Sequence, residues 1–228
     1  MTAVKKVHKF HIRELQRVMP FTDNQKLALD EFFAGKDMAM IGSAGTGKTF
    51  LGLYMGLQGV LAGDFRQVVI VRSAVAVRDL GFLPGDEYEK TAPFELPYRA
   101  ICDELFPYQD CYENLKKAGT VYFLTTSHIR GITLRDSIIL VDECQSLNAH
   151  ELDSIITRIG PNCRLILCGD GIQTDLVRQS ERRGFHDIMK VLKRINNFSI
   201  IEFGTEDIVR SGLVRDYIIE RDRLGLQI

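Results

Sequence analysis

Eight consecutive residues, Gly42-Ser43-Ala44-Gly45-Thr46-Gly47-Lys48-Thr49, constrain this chain more than any other stretch. They form a complete G-x-x-x-x-G-K-[ST], follow an apolar run at Met38 to Ile41 and open a segment, Lys48 to Leu61, whose apolar residues recur at helical spacing. Strand, glycine-rich turn and helix is the order that lets backbone N–H groups close around phosphate oxygens. The glycines permit the turn, the helix N-terminus adds the positive end of its dipole, the lysine reaches the β- and γ-phosphates, and the threonine hydroxyl suits Mg²⁺. Gly42, Ser43, Ala44, Gly45, Thr46, Gly47, Lys48 and Thr49, with Phe50 directly behind them, are the expected nucleotide-binding set, and ATP and Mg²⁺ the expected cofactors.

The rest of the chain repeats the same rhythm. Short apolar runs at Val68 to Val71, Val121 to Leu124, Ile138 to Val141, Leu165 to Cys168 and Ile200 to Phe203 have the length of strands buried on both faces. Helical spacing recurs in Ala149 to Ile159, Phe185 to Ile195 and Leu213 to Leu224. Alternation of this kind predicts an α/β fold, a mainly parallel sheet with helices on both faces. Residues 73–120 break the rhythm and contain Pro84, Pro93, Pro97 and Pro107, so a partly helical insertion is expected between the second and third strands. With 228 residues and no linker or repeat, one domain over 21–228 follows a basic segment over 1–20. His186, among apolar residues of a predicted helix, reads as structural.

Charge and cysteine usage narrow the classes. The 29 basic and 30 acidic residues give a net charge of −1, which excludes a global basic field. Lys5, Lys6, Lys9, Arg13 and Arg17 against Glu14 alone make the first twenty residues locally basic, as a solvated tail or as an arm for nucleic acid. No run approaches 18 apolar residues, so no membrane association is expected and a cytoplasmic location is. The five cysteines lack C-x-x-C spacing and read as buried thiols.

Further chemistry is expected at strand ends. Ile138-Ile139-Leu140-Val141-Asp142-Glu143 runs four apolar residues into two carboxylates, placing them at the C-terminal end of a buried strand, where open α/β sheets bind ligands. Asp142 would hold Mg²⁺ and Glu143 would act as general base on the attacking water; the alternative is that both acids cap the next helix. Arg72, after the second strand, suits a phosphate of either nucleic acid or ATP. Thr126, Ser127, His128 and Arg130 form a polar loop suited to a nucleic-acid backbone, and Phe82 is either a base-stacking ring or a buried anchor.

Together these motifs resemble the PhoH family, the phosphate-starvation-inducible P-loop proteins related to superfamily one helicases. Beyond the glycine-rich loop, the resemblance rests on Leu80-Gly81-Phe82-Leu83-Pro84-Gly85 with Glu89-Lys90, Arg130-Gly131-Ile132-Thr133, Asp142-Glu143-Cys144-Gln145, Thr157-Arg158-Ile159-Gly160, Gly169-Asp170 with Gln173-Thr174-Asp175-Leu176, and Asp207-Ile208-Val209-Arg210. Cys144 stands where the family usually has Ala, and Ser73 where it usually has Pro; neither change removes an acid or a phosphate ligand. The resemblance implies a RecA-like ATPase core and, for some members, RNA unwinding. It also implies that Gln173 senses the γ-phosphate and that Gln25, some 17 residues before the loop, reads the adenine edge, although Thr22 beside it equally reads as a helix N-cap.

The expected function is ATP hydrolysis coupled to single-stranded nucleic acid, RNA before DNA; the rival is a nucleotide-dependent switch that recruits a partner without unwinding. A monomeric helicase of that superfamily takes a catalytic arginine from a second RecA-like domain. With one such domain, Arg210 or, second, Arg158 is expected to act in trans across a head-to-tail interface, which predicts a homo-oligomeric ring, a hexamer.

Overall fold

A computed structural model describes residues 10–73, 87–129, 131–170 and 179–225. Six strands form one sheet in which each neighbouring pair is parallel: β1 (Asp37–Gly42), β2 (Gln67–Arg72), β3 (Val121–Thr125), β4 (Ser137–Val141), β5 (Cys163–Gly169) and β6 (Phe198–Phe203), in spatial order β3-β2-β4-β5-β1-β6. Each expected apolar run lies inside one of them. All five residues of β4 are buried, which explains why that run shows no alternation. The strand period sends Met38 and Met40 of β1 into one core and Ala39 into the other. Because the strands are parallel, the acids after β4 and the loop after β1 share one edge, with β5 between them.

Among the described residues, seven α-helices follow in chain order: α1 (Asp23–Phe33), α2 (Lys48–Ala62), α3 (Glu87–Leu105), α4 (Cys111–Lys117), α5 (Ala149–Ile156), α6 (Gln179–Leu192) and α7 (Leu213–Arg223). The helix α2 lies close on the sheet because glycines face it: a Cβ on Gly52 would stand 2.7 Å from Leu140 Cδ1, and one on Gly59 2.8 Å from Ile138 Cδ1. The helix α1 is announced in the sequence only by its Thr22 cap, since its inward face, Gln25, Ala28, Leu29 and Phe32, mixes a buried amide and a small residue into the apolar stripe. Thr22 is its N-cap, accepting from the Gln25 N–H at 3.2 Å. The helix α6 begins six residues before Phe185, and His186 on it is exposed, so the structural reading of that histidine is corrected.

The insertion is more regular than its prolines suggest. The helix α3 runs through Pro93 and Pro97, which are exposed and one turn apart, so water can take the carbonyls their missing N–H groups leave unpaired. The basic N-terminal segment is also corrected where it is described. Gln16 N donates to Leu105 O at 2.8 Å, the Phe10 and Phe106 rings meet edge to face at 5.2 Å, and Tyr108 Oη donates to Glu14 at 2.9 Å, so residues 10–16 are packed against the insertion and are not a solvated tail. The cysteines are free thiols, buried except for half-buried Cys163. Among the described residues no helix is long and apolar enough to cross a membrane.

Candidate nucleotide site

The loop between β1 and α2 is built from backbone. Gly42 holds φ +141°, and a Cβ there would lie 1.9 Å from Phe203 O, so no other residue fits. Ser43 N donates to that same carbonyl at 3.0 Å, which pins the loop to β6. Lys48 Nζ reaches back across the turn to Gly42 O (2.8 Å), Ser43 O (2.7 Å) and Thr46 Oγ1 (3.2 Å). Burial pushes the Lys48 ammonium below its ordinary pKa, against the pull of Asp170, Glu143 and Asp142, so the cation stands in a site that favours a gain of anionic partners.

The two acids follow β4 as their pattern predicts, and they do not merely cap a helix. Thr49 Oγ1 donates to Asp142 Oδ1 at 2.8 Å. Glu143 adopts φ +52°, an uncommon conformation for a residue with a side chain, and this turns its carboxylate into the cleft. Its Oε2 accepts from Gln145 Nε2 at 2.6 Å, and Arg72 Nη2 stands 4.0 Å from Oε1. Gln145 also accepts from Asp170 N at 2.9 Å, so the turn after β4 is tied to the end of β5. The Glu143 side chain is 46% exposed, yet the enclosing walls and then the Asp142 charge raise its carboxyl above the ordinary value. The convergent Thr49 hydroxyl and Asp142 carboxylate are hard oxygen donors, a set that fits Mg²⁺ completed by water and phosphate. Among the described residues no cluster of three or more His, Cys, Asp or Glu offers a rival metal site.

Around these groups lies a cleft of about 560 Å³ lined by residues 44–50, Arg72, Asp142, Glu143, Asp170 and Arg210. A second hollow of about 550 Å³ shares Gly45, Gly47, Phe50, Glu104 and Arg210 with it and extends to Val18, Met19, Phe21 and Val209, giving room for a base and sugar beside the phosphate cradle. A larger hollow, about 1070 Å³ between α6 and β6, contains neither Lys48 nor the acids.

Several expected residues sit differently from their sequence reading. Gln25 is 4% exposed, and both ends of its amide are committed: Oε1 accepts from Phe21 N at 2.8 Å and Nε2 donates to Thr46 O at 3.0 Å. It braces the loop from the wall of the second hollow, with one N–H and one lone pair of the amide beyond these two bonds. Arg210 lines the cleft of its own chain, because Val209 N donates to Gly45 O at 3.1 Å and holds the strap beside the loop. Arg158 lies at the opposite end of the sheet, its carbonyl accepting from Leu134 N before β4 begins. Arg72 faces the nucleotide cleft, and His128, exposed on the turn after β3, shares a 2.7 Å hydrogen bond with Thr125 Oγ1. Phe82, Arg130 and Gln173 lie outside the described residues. Sequence reasoning missed Tyr98, whose hydroxyl donates to Asp142 Oδ2 at 2.8 Å, and Asp222 of α7, which accepts from Ser43 Oγ at 2.8 Å. No motif flags either residue.

A family model described as PhoH-like protein matches residues 17–220. The chain belongs to the PhoH-like protein family. The PhoH-like protein of Mycobacterium leprae is 31% identical over 209 residues, covering 91% of this chain and 59% of the relative, and that of Bacillus subtilis is 35% identical over 185 residues, covering 80% and 57%. This PhoH-like chain thus spans a little over half the length of those relatives. Among solved structures, Bacteroides Pif1 bound to single-stranded DNA is similar at TM-score 0.46 and 16% identity over 91% of this chain and 46% of that one. A large terminase from a thermophilic bacteriophage gives TM-score 0.49 and 14% identity over 89% and 50%. The parallel sheet and the strand–loop–helix geometry give the chain the RecA-like α/β fold of P-loop proteins.

Proposed function

We propose that this PhoH-like protein binds ATP with Mg²⁺ and hydrolyses it. The observation that carries the reading is the meeting of Lys48, Thr49, Asp142 and Glu143 in one cleft, with Thr49 Oγ1 and Asp142 Oδ1 only 2.8 Å apart. Backbone N–H groups of the loop and Lys48 would hold the β- and γ-phosphates, and Arg210 adds a second cation beside Gly45. Mg²⁺, when bound, neutralises charge on the phosphates. Glu143 orients a water toward the γ-phosphorus and takes its proton as the new P–O bond forms and the bond to the ADP oxygen breaks.

Coupling to single-stranded nucleic acid, RNA in preference to DNA, belongs to the same proposal. The exposed Ser127 and His128 support it, since their turn follows β3 at the ligand-bearing end of the sheet, where buried Thr126 donates its N–H to Arg72 O at 3.0 Å and its hydroxyl to Glu151. A hexameric ring completes the reading; with Arg210 in its own cleft, Arg158 is the arginine a neighbouring subunit would supply.

The test is a pair of variants with different phenotypes. Lys48→Ala should lose both ATP binding and turnover, whereas Glu143→Gln should bind ATP and turn it over at least about 100-fold more slowly, the lower end of the range for loss of a general base. Wild-type turnover in Glu143→Gln removes the base assignment. Stimulation of phosphate release by single-stranded RNA supports coupling, and its absence with intact basal hydrolysis leaves the switch.

A further inference from the structure

Asp142 is held by a donor on each carboxylate oxygen. Thr49 takes Oδ1 at 2.8 Å, and the Tyr98 hydroxyl takes Oδ2 at the same distance. Tyr98 comes from α3, outside the strand–loop–helix unit that makes the phosphate cradle. Its side chain is fully buried, stacked on Tyr112 of α4 at 6.5 Å and tilted against Phe123 of β3 at 6.0 Å, so the hydroxyl has one place to go. One turn earlier, the Phe94 ring lies 5.8 Å from the Arg72 guanidinium, which stands 4.0 Å from Glu143. One face of α3 therefore touches both acids, the first directly and the second through an arginine.

We propose that Tyr98 is a positioning residue for the cation site: by fixing Oδ2 it keeps Oδ1 turned toward Thr49, so the insertion helix sets the geometry in which a divalent cation is held with nucleotide. The inference rests on the nucleotide reading of this cleft. A carboxylate rotates about its Cβ–Cγ bond unless both oxygens are engaged, and Asp142, at 4% exposure, has little water to replace a lost donor. Outer-shell partners of metal ligands act in this way, and their loss typically weakens metal binding about 10- to 100-fold.

The experiment titrates Mn²⁺, a spin-active substitute for Mg²⁺, into full-length protein with stoichiometric ADP, reading free Mn²⁺ by EPR. Tyr98→Phe keeps the ring and removes the hydroxyl; Tyr98→Met removes the hydroxyl and refills the space by a different route. Both should bind Mn²⁺ about 10-fold more weakly or worse, while ADP affinity measured in EDTA stays at the wild-type value. Cys102→Ala, a buried change on the same helix away from Asp142, should lower the melting temperature and leave Mn²⁺ affinity unchanged. If both Tyr98 variants hold Mn²⁺ as tightly as wild type, or if their ADP affinity in EDTA falls in step, the positioning role is overturned. If wild type itself binds neither ADP nor Mn²⁺ with ADP, it is the nucleotide reading that fails.

Discussion

Replacing Asp207 should show how the arginine strap is held against the phosphate loop. Asp207 is 2% exposed, and its Oδ2 accepts from Asn24 Nδ2 at 2.8 Å and from Gly204 N at 3.0 Å, joining α1 to the turn after β6. Two residues later, Val209 donates to Gly45 and Arg210 enters the cleft. In Asp207→Ala both bonds go; the Asn24 amide keeps Glu202 O at 3.1 Å, and the Gly204 N–H loses the carboxylate. Hydrogen bonds to a charged group contribute about 1.5–3 kcal/mol each, roughly 3–6 for the two, and removing the buried carboxylate offsets about 1–3 of this as its own desolvation cost, which leaves a net loss of about 2–3 kcal/mol. For a domain of this size that is a fall of about 4–12 °C in melting temperature. Asp207→Asn keeps an oxygen acceptor and loses only the charge, so it should cost about 1 kcal/mol and about 2–4 °C. Calorimetry gives both shifts, and an ADP titration well below the melting temperature should show weaker binding in the alanine variant than in the asparagine one. An alanine variant that melts within 2 °C of wild type, a margin below the roughly 4 °C minimum expected, would refute the argument, as would two variants that cannot be told apart.

Two further outcomes follow from side chains whose surroundings are fixed. Because the Gln25 amide is committed to Phe21 and Thr46, Gln25→Ala should weaken ADP and GDP together and leave their ratio unchanged in competitive binding; selective loss of ADP would return Gln25 to base reading. Burial raises the Asp37 carboxyl above 3.8, against the Leu165 N–H and Arg164, so the folded state holds that proton more tightly than the unfolded state, and stability declines as pH climbs from about 3.8 through the folded value. Asp37→Asn should remove that decline, so the difference in melting temperature between variant and wild type should grow across this interval and level off above it; a constant difference would show that Asp37 does not titrate there.

What the sequence disclosed was whatever is local. Four apolar residues running into Asp142-Glu143 report a buried strand and the chemistry at its end, because burial on both faces and the carboxylates belong to one contiguous stretch. The glycine-rich loop is legible for the same reason. Gln25 shows where this stops: residue type and spacing place an amide near the loop, but which backbone groups take up its two ends is decided by the docking of α1 against α2. Tyr98 lies 44 residues from Asp142, and no periodic pattern connects them. Arg210 is expected from sequence only as a residue after the last strand; that the turn after β6 folds back over Gly45 and brings it to the cleft of its own chain depends on tertiary contacts no local pattern reports. The partly helical insertion expected over 73–120 contains α3, which its prolines do not break because both lie on the solvent side.

The phosphate loop is gripped from outside along its length, and the grips come from different elements. Ser43 N is bound by Phe203 of β6 and Ser43 Oγ by Asp222 of α7, Gly45 O by Val209 of the strap, and Thr46 O by Gln25 of α1. Inside the turn, Lys48 ties Gly42, Ser43 and Thr46 together. A cradle held in this way has little conformational entropy left to lose on binding a phosphate, which is the advantage of building it from backbone braced by neighbours. The same bracing limits how the loop can move. Any displacement of Ser43, Gly45 or Thr46 must either break a bond of 2.8–3.1 Å or carry β6, α7, the strap or α1 with it. If the cleft takes nucleotide as proposed, displacement of the loop would be carried to α1 and α7 together, and α3, joined to the acids through Tyr98 and Phe94, would take up changes beside Asp142.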